Sequence, residues 1–132
     1  MRVLAEWVKK ITDAELLIAD KAPVGTPAIY VGQAALAAGL KLDDIVSPSR
    51  EGVRIVADGQ RVLIAGQSEA ATLKAVCRFL EALGCRYLMD GPLGEVFPRT
   101  PTLSVGALNL TEKPGLLWRN PKGPSWNARL WK

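Results

Sequence analysis

Histidine is absent from the 132-residue sequence, and cysteine occurs only twice. The absence of histidine removes the side chain that most often serves as a general base and as a metal ligand. Cys77 and Cys85 are separated by a spacing that matches neither a zinc-ligand pattern nor a CxxC redox motif. We therefore predict no metal and no cofactor, and we interpret the two cysteines as buried free thiols. A disulfide would require side chains that face each other, which the sequence leaves open.

Long apolar runs are also missing. No stretch approaches the roughly 18 apolar residues that a membrane helix needs. The first ten residues, MRVLAEWVKK, are too short and too charged for a signal peptide. Hydrophobic residues make up 48% of the chain and charged residues 23%, which is typical of a globular protein. We expect a globular domain with no membrane partner.

Acidic residues are missing from the last part of the chain. Residues 1–112 carry 12 basic and 13 acidic residues, whereas residues 113–132 carry five basic residues and no acid. The same segment contains three prolines and three tryptophans, Trp118, Trp126 and Trp131. The sequence therefore predicts an α+β domain over residues 1–112, followed by a basic tail or linker over residues 113–132.

The segment from Arg61 to Met89 predicts a strand, a helix and a second strand. Val62–Ala65 is a short apolar run that suits a buried strand. Ser68 is placed to cap a helix that Gly84 ends, and Cys85–Met89 reads as a strand parallel to the first. The predicted buried face of the helix consists of Leu73, Val76, Cys77 and Leu80, widened by Phe79 and Leu83.

Several further elements follow from periodicity and turn residues. An antiparallel hairpin over Glu51–Gly66, with a type I′ turn at Asp58-Gly59, gives the sheet a mixed character. The other predicted elements are a helix over Arg2–Ile11, a strand over Glu15–Ala19, a strand over Ala28–Val31, a helix over Gln33–Leu40 and a late edge strand over Leu103–Leu110.

Candidate catalytic residues are few. Asp43 and Asp44 form the one adjacent pair of carboxylates, and we interpret them as part of a solvated loop. Gly32 and Gly66 each follow a strand and precede a helix, where an anion can bind. Neither lies in a GxGxxG or P-loop pattern, so tight turns are the favoured interpretation. We assign no catalytic residue.

The tail allows three interpretations. Its tryptophans could pack against a neighbouring domain or a second subunit, stack on sugar rings, or stack on the bases of single-stranded nucleic acid. The nearly neutral body argues against nucleic acid, because a nucleic-acid-binding face is usually basic across the folded surface. We favour packing against a neighbouring domain or a second subunit, and we keep carbohydrate contact through Trp118 as an alternative.

The order of several short motifs resembles one kind of glycosidase accessory domain. The segments that carry the resemblance are AEWVKKITDAELLI (5–18), AIYVG (28–32), LIAG (63–66), AVCRFLEALGCRYL (75–88) and GEVFP (94–98). They are similar to motifs of the non-catalytic domain that precedes the catalytic barrel in alpha-glucuronidases, beta-hexosaminidases and related uncharacterised bacterial proteins. The sequence departs from the family pattern at Asp13, where glycine is usual, and lacks the usual strand before the first helix.

The resemblance implies a fold and a function. It implies an α+β fold like hexosaminidase domain 2, with helices on one face of a mixed sheet and no catalysis in this chain. The catalytic domain of the same parent chain, or a second subunit, would be the partner. KPGLLWR (113–119) resembles the beginning of the barrel's first strand, so Arg119 becomes a candidate sugar contact beside Trp118. It also implies export, to the periplasm or outside the cell. The alternative is a free-standing module that binds carbohydrate or a polyanion through the tail.

Overall fold

The computed structural model describes residues 2–19 and 25–116. It contains a mixed four-stranded sheet, a separate two-stranded sheet and three α-helices within these residues. The helices are α1 (Arg2–Thr12), α2 (Gln33–Ala37) and α3 (Glu69–Ala82), and the strands are β1 (Ala28–Val31), β2 (Val53–Ala57), β3 (Arg61–Gly66), β4 (Arg86–Tyr87), β5 (Glu95–Val96) and β6 (Leu108–Glu112). A 3-10 helix, Pro92–Gly94, precedes β5.

The main sheet has the strand order β1-β3-β2-β6. β1 lies parallel to β3, whereas β2 is antiparallel to both β3 and β6. The predicted mixed α+β class and the hairpin are confirmed. The carboxyl ends of β1 and β3 lie at the same end of the strands of the sheet, because Val31 pairs with Ile64. The carboxyl end of β6 lies there too, since Glu112 and Gly66 both pair with Val53.

Helices cover both faces of the sheet. On one face, α1 and α3 pack on Val62 and Ile64 of β3, with the fully buried Phe79 in the same core cluster. On the other face, Ala35 of α2 packs on Leu63 and Ala65. Alternation along β3 places these two pairs on opposite faces. The prediction that the helices share one face therefore holds for α1 and α3 and is wrong for α2.

The ends of α1 and α3 follow local rules. Ser68 caps α3 by accepting a hydrogen bond from the Ala71 amide at 3.1 Å, as predicted. Gly84, with φ +92°, follows the helix in the left-handed conformation. At the end of α1, Asp13 adopts φ 61° and its amide donates to the Lys9 carbonyl at 2.8 Å.

Three predicted strands and one turn need correction. The parallel neighbour of β3 is β1; the segment after α3 forms only the short β4, which pairs antiparallel with β5 in the second sheet. Residues 15–19 form no strand and are exposed. The last strand is displaced, from the predicted Leu103–Leu110 to Leu108–Glu112.

The hairpin turn is also placed one residue later than predicted. The Asp58 amide donates to the Arg61 carbonyl, so Gly59 and Gln60 are the central residues. Gly59 has positive φ and Gln60 does not, which fits a type II′ turn rather than a type I′ turn. The Asp58 carboxylate accepts hydrogen bonds from the Gln60 and Arg61 amides, and this fixes the turn.

Candidate functional site

An open cleft of about 1070 Å³ lies at the carboxyl ends of β1 and β3. It is lined by the turn after β1 (32–34), the turn after β3 (66–69), the loop 40–43, Arg50 and one side of α3. α2 leaves β1 toward one face of the sheet, and α3 leaves β3 toward the other. Adjacent parallel strands whose connections run to opposite faces open a crevice between their carboxyl ends, and ligands of open α/β sheets bind in such crevices.

Gln67 holds one wall of the cleft. Its side-chain amide donates to the Ile45 carbonyl at 2.8 Å, and its side-chain oxygen accepts from the Gly52 amide at 3.1 Å. Its backbone amide donates to the Gly52 carbonyl, and its backbone carbonyl accepts from the Arg50 guanidinium at 3.2 Å. Both ends of the Gln67 side chain are therefore used to join the β3–α3 turn to loop 45–52.

The turn at Gly66 is tight, as predicted. A Cβ at Gly66 would lie 2.3 Å from the carbonyl carbon of Ala71, so α3 lies directly against the end of β3. The Gly66 amide donates to the Thr72 hydroxyl at 3.1 Å, and this hydroxyl donates to the Ser68 carbonyl at 3.0 Å. These polar groups bond to one another. This favours the interpretation of Gly66 as a tight turn and disfavours a phosphate-binding turn.

Other polar side chains of the cleft have no such partners. Lys41, Asp43 and Glu69 are exposed, and their side chains make no hydrogen bond or ion pair with any other described residue. The Gln33 side chain, at the start of α2, is likewise exposed and makes no hydrogen bond with any other described residue. The apolar part of the lining includes Val31, Leu36, Leu73 and Val76. The cleft thus combines an apolar surface with free charges of both signs.

The two adjacent carboxylates do not act together. Asp43 and Asp44 are both exposed, which confirms their placement on a solvated loop. Asp44 accepts two hydrogen bonds from the Arg54 guanidinium, at 2.8 and 2.7 Å, and these bonds lower the pKa of the Asp44 carboxyl. Asp44 therefore fixes loop 41–45 to β2.

The two cysteines are free and buried. Burial raises the pKa of the Cys77 thiol to about 11, and burial also raises the pKa of Cys85. Because the thiolate is the nucleophilic form, these shifts lower the reactivity of both thiols. Within residues 2–19 and 25–116, no three acidic or cysteine side chains cluster as metal ligands would.

A second notable feature is a group of exposed apolar side chains close together in the sequence, Leu88, Met89, Leu93 and Val96, which we call the 88–96 patch. Leu93 is 93% exposed and Leu88 69%. Its backbone is closed by a hydrogen bond from the Leu88 amide to the Gly94 carbonyl at 2.8 Å. An ion pair between Lys10 and Glu95 at 2.5 Å ties β5 to α1.

Sequence reasoning reached the two glycine turns but not the cleft between them. It paired β3 with the segment after α3, so nothing brought Gly32 and Gly66 together. The available signal was that both glycines follow a short apolar strand. Trp118 and Arg119, the candidate sugar contacts, lie outside the described residues.

No family model matches the chain, and searches of curated proteins and of solved structures find no significant match.

Proposed function

We propose that this chain is a non-catalytic accessory domain of a glycoside hydrolase and that it supports a following catalytic barrel. The finer fold assignment, hexosaminidase domain 2-like, belongs to the same proposal. Its basis is the ordered motif resemblance, whose segments fall on α1 and the residues after it, β1, β3, α3 with β4, and β5. The departure at Asp13 fits as well, because this residue has φ 61°, a conformation that glycine adopts without cost.

The observation that carries the proposal is the 88–96 patch. Large apolar side chains held outward on an ordered backbone mark contact surfaces in soluble proteins. A Cβ at Gly94 would lie 1.9 Å from the Met89 carbonyl oxygen, so the local chain path depends on glycine there. Exposed apolar side chains on a backbone with this defined path suit contact with another domain.

Two finer elements of the proposal rest on resemblance. Arg119, in the segment that resembles the beginning of the barrel, would contact the sugar, and Trp118 would stack beside it. Export of the parent protein is proposed on the same ground.

Hydrogen exchange tests the proposed contact. In the parent protein, the amides of residues 86–96 should exchange at least several-fold more slowly than in the 132-residue chain. L93D should remove this difference without unfolding the domain, because Leu93 is almost fully exposed. V46D, at another exposed apolar residue and outside the 88–96 patch, is the control. Equal exchange rates in the two proteins would contradict contact at this surface.

The alternative, a free-standing module that binds through its basic, tryptophan-bearing tail, makes different predictions. Titration with oligosaccharides and with single-stranded DNA at two salt concentrations separates these functions. Polyanion binding should weaken steeply with salt, because counterions are released on binding. Carbohydrate binding should not.

A further inference from the structure

The cleft at the carboxyl ends of β1 and β3 has the position of a ligand site. We propose that it binds a small zwitterion that carries an aliphatic group, of the class of an apolar amino acid or a short apolar peptide. The proposal does not depend on the accessory-domain function and concerns a different surface from the 88–96 patch.

Topology supplies the first argument. The crevice arises because α2 and α3 leave adjacent parallel strands toward opposite faces of the sheet. No described side chain fills this space, whose volume is about 1070 Å³. This volume lies slightly above the range of ordinary small-molecule pockets, about 300–1,000 Å³.

The free charges supply the second argument. Lys41 and Arg50 contribute two cations to the lining, and Asp43 and Glu69 contribute two carboxylates. Arg50 donates to a backbone carbonyl, and none of the four takes part in an ion pair within the described part of the chain. A ligand with one ammonium and one carboxylate would complement both signs, whereas an anion would meet Asp43 and Glu69.

The apolar lining supplies the third argument. Leu73 lies on α3 and remains 37% exposed, beside the buried Val76 and Val31. No described aromatic residue lines the cleft, which disfavours stacking on a planar ring or on a sugar face. An aliphatic side chain would cover Leu73 and remove apolar surface from water.

A titration of the full 132-residue chain with L-leucyl-L-leucine, followed by ¹⁵N–¹H NMR, tests the proposal. We expect saturable shifts at the amides of Gly32, Gln33, Ser68 and Glu69, and no shift at the Gly59 turn on the opposite edge. N-acetyl-leucyl-leucine amide, which lacks both charges, should bind at least about tenfold more weakly, because two charge-assisted contacts are lost.

Paired variants locate the charges. The double change K41Q with D43N should weaken binding of the dipeptide by about tenfold or more. The double change R99Q with D90N, on exposed residues outside the cleft lining, should leave it unchanged. L73E offers a second variant that targets the apolar surface, and an unchanged spectrum away from the cleft verifies folding in each case.

Three outcomes would overturn the proposal. The first is the absence of saturable shifts up to the solubility limit of the dipeptide. The second is equal binding of the uncharged analogue. The third is a response of the same amides to inorganic phosphate that the dipeptide does not displace, since this would identify an anion site at the start of α3.

Discussion

Asp13 shows how one residue can carry backbone strain. Its φ of 61° lies in the left-handed region, which costs a non-glycine residue roughly 1–2 kcal/mol. Part of that cost is recovered through the lower entropy of aspartate in the unfolded chain.

We predict that D13G raises the free energy of unfolding by about 0.5–1 kcal/mol, measured by urea denaturation. D43G is the control, since Asp43 does not have positive φ, and it should lower stability. A loss of stability in D13G would show that the Asp13 side chain contributes more than its backbone conformation costs.

Gly66 is required for a different reason. It does not have positive φ, but a Cβ there would lie within 2.6 Å of the Ala71 Cβ and the Thr72 nitrogen. Since backbone atoms of α3 cannot yield easily, we predict that G66A costs about 1–3 kcal/mol. Gly106 has no atom within 4 Å of its added Cβ, so G106A should be nearly neutral. Thermal denaturation of both variants checks the comparison, and equal melting temperatures would contradict close contact between β3 and α3.

These residue-level features differ in how well sequence reports them. Gly66 was identified as a tight turn because it stands between an apolar strand and a helix cap. The conformation of Asp13 left only an indirect signal, through a family pattern with glycine at that position. The free charges of the cleft left none, because Lys41 and Glu69 look like ordinary surface residues until the strand order is known.

At the scale of elements, α3 was predicted with the right ends and, apart from Leu73, with the right buried face, since Val76 and Cys77 are buried as well. Phe79 is fully buried and Leu80 is 3% exposed, whereas Leu73 is 37% exposed. Ala71 and Ala75 are buried too and were not predicted, because small residues carry little weight in a hydrophobic pattern.

The difference in burial between Leu80 and Leu73 predicts unequal costs of mutation. L80A should lower the free energy of unfolding by about 2–5 kcal/mol, because it leaves a cavity in the core. L73A should cost less than about 1 kcal/mol, since Leu73 keeps much of its surface in the cleft. Chemical denaturation of both variants provides the measurement. Similar losses of stability in the two variants would mean that Leu73 is buried as fully as Leu80.

An ion-pair cluster joins α3 to the edge strand β6. The Arg78 guanidinium donates to both oxygens of Glu112, at 2.8 and 2.5 Å, and it also bonds to Glu81. The hydrogen bonds from Arg78 hold the pKa of Glu112 below its ordinary value of 4.5. A lowered carboxyl pKa adds stability that is present above pH 4.5 and is lost as the pH falls through the folded-state pKa.

E112Q should therefore be less stable than the wild type at pH 6. It should also lose less stability than the wild type between pH 6 and pH 3. Urea denaturation at each pH provides the measurement. Because Glu112 is 39% exposed, the expected effect is below about 1 kcal/mol. Parallel pH profiles for wild type and E112Q would contradict a contribution from this pair.

Strand pairing shows where local sequence reasoning ends. The hairpin β2–β3 was predictable because its turn and alternation are local. The neighbour of β3 was not, since β1 is separated from it by α2, a long loop and β2. The segment after α3 forms only the two-residue β4, which pairs with β5.

For the whole molecule, composition predicted a globular domain, periodicity and turn residues predicted the α+β class, and the structure confirms this class. Among the described residues, no helix is long and apolar enough to cross a membrane. The arrangement that composition could not predict is helical cover on both faces, since the side of the sheet that α2 takes depends on the order of strands. That arrangement creates the cleft.

The length of the native protein tests the accessory-domain proposal most directly. It can be measured as the mass of the intact protein isolated from its source, together with the reading frame beyond Lys132. We predict a continuation of several hundred residues that folds as a catalytic barrel and contacts the 88–96 patch. A mass equal to that of the 132 residues would contradict the proposal.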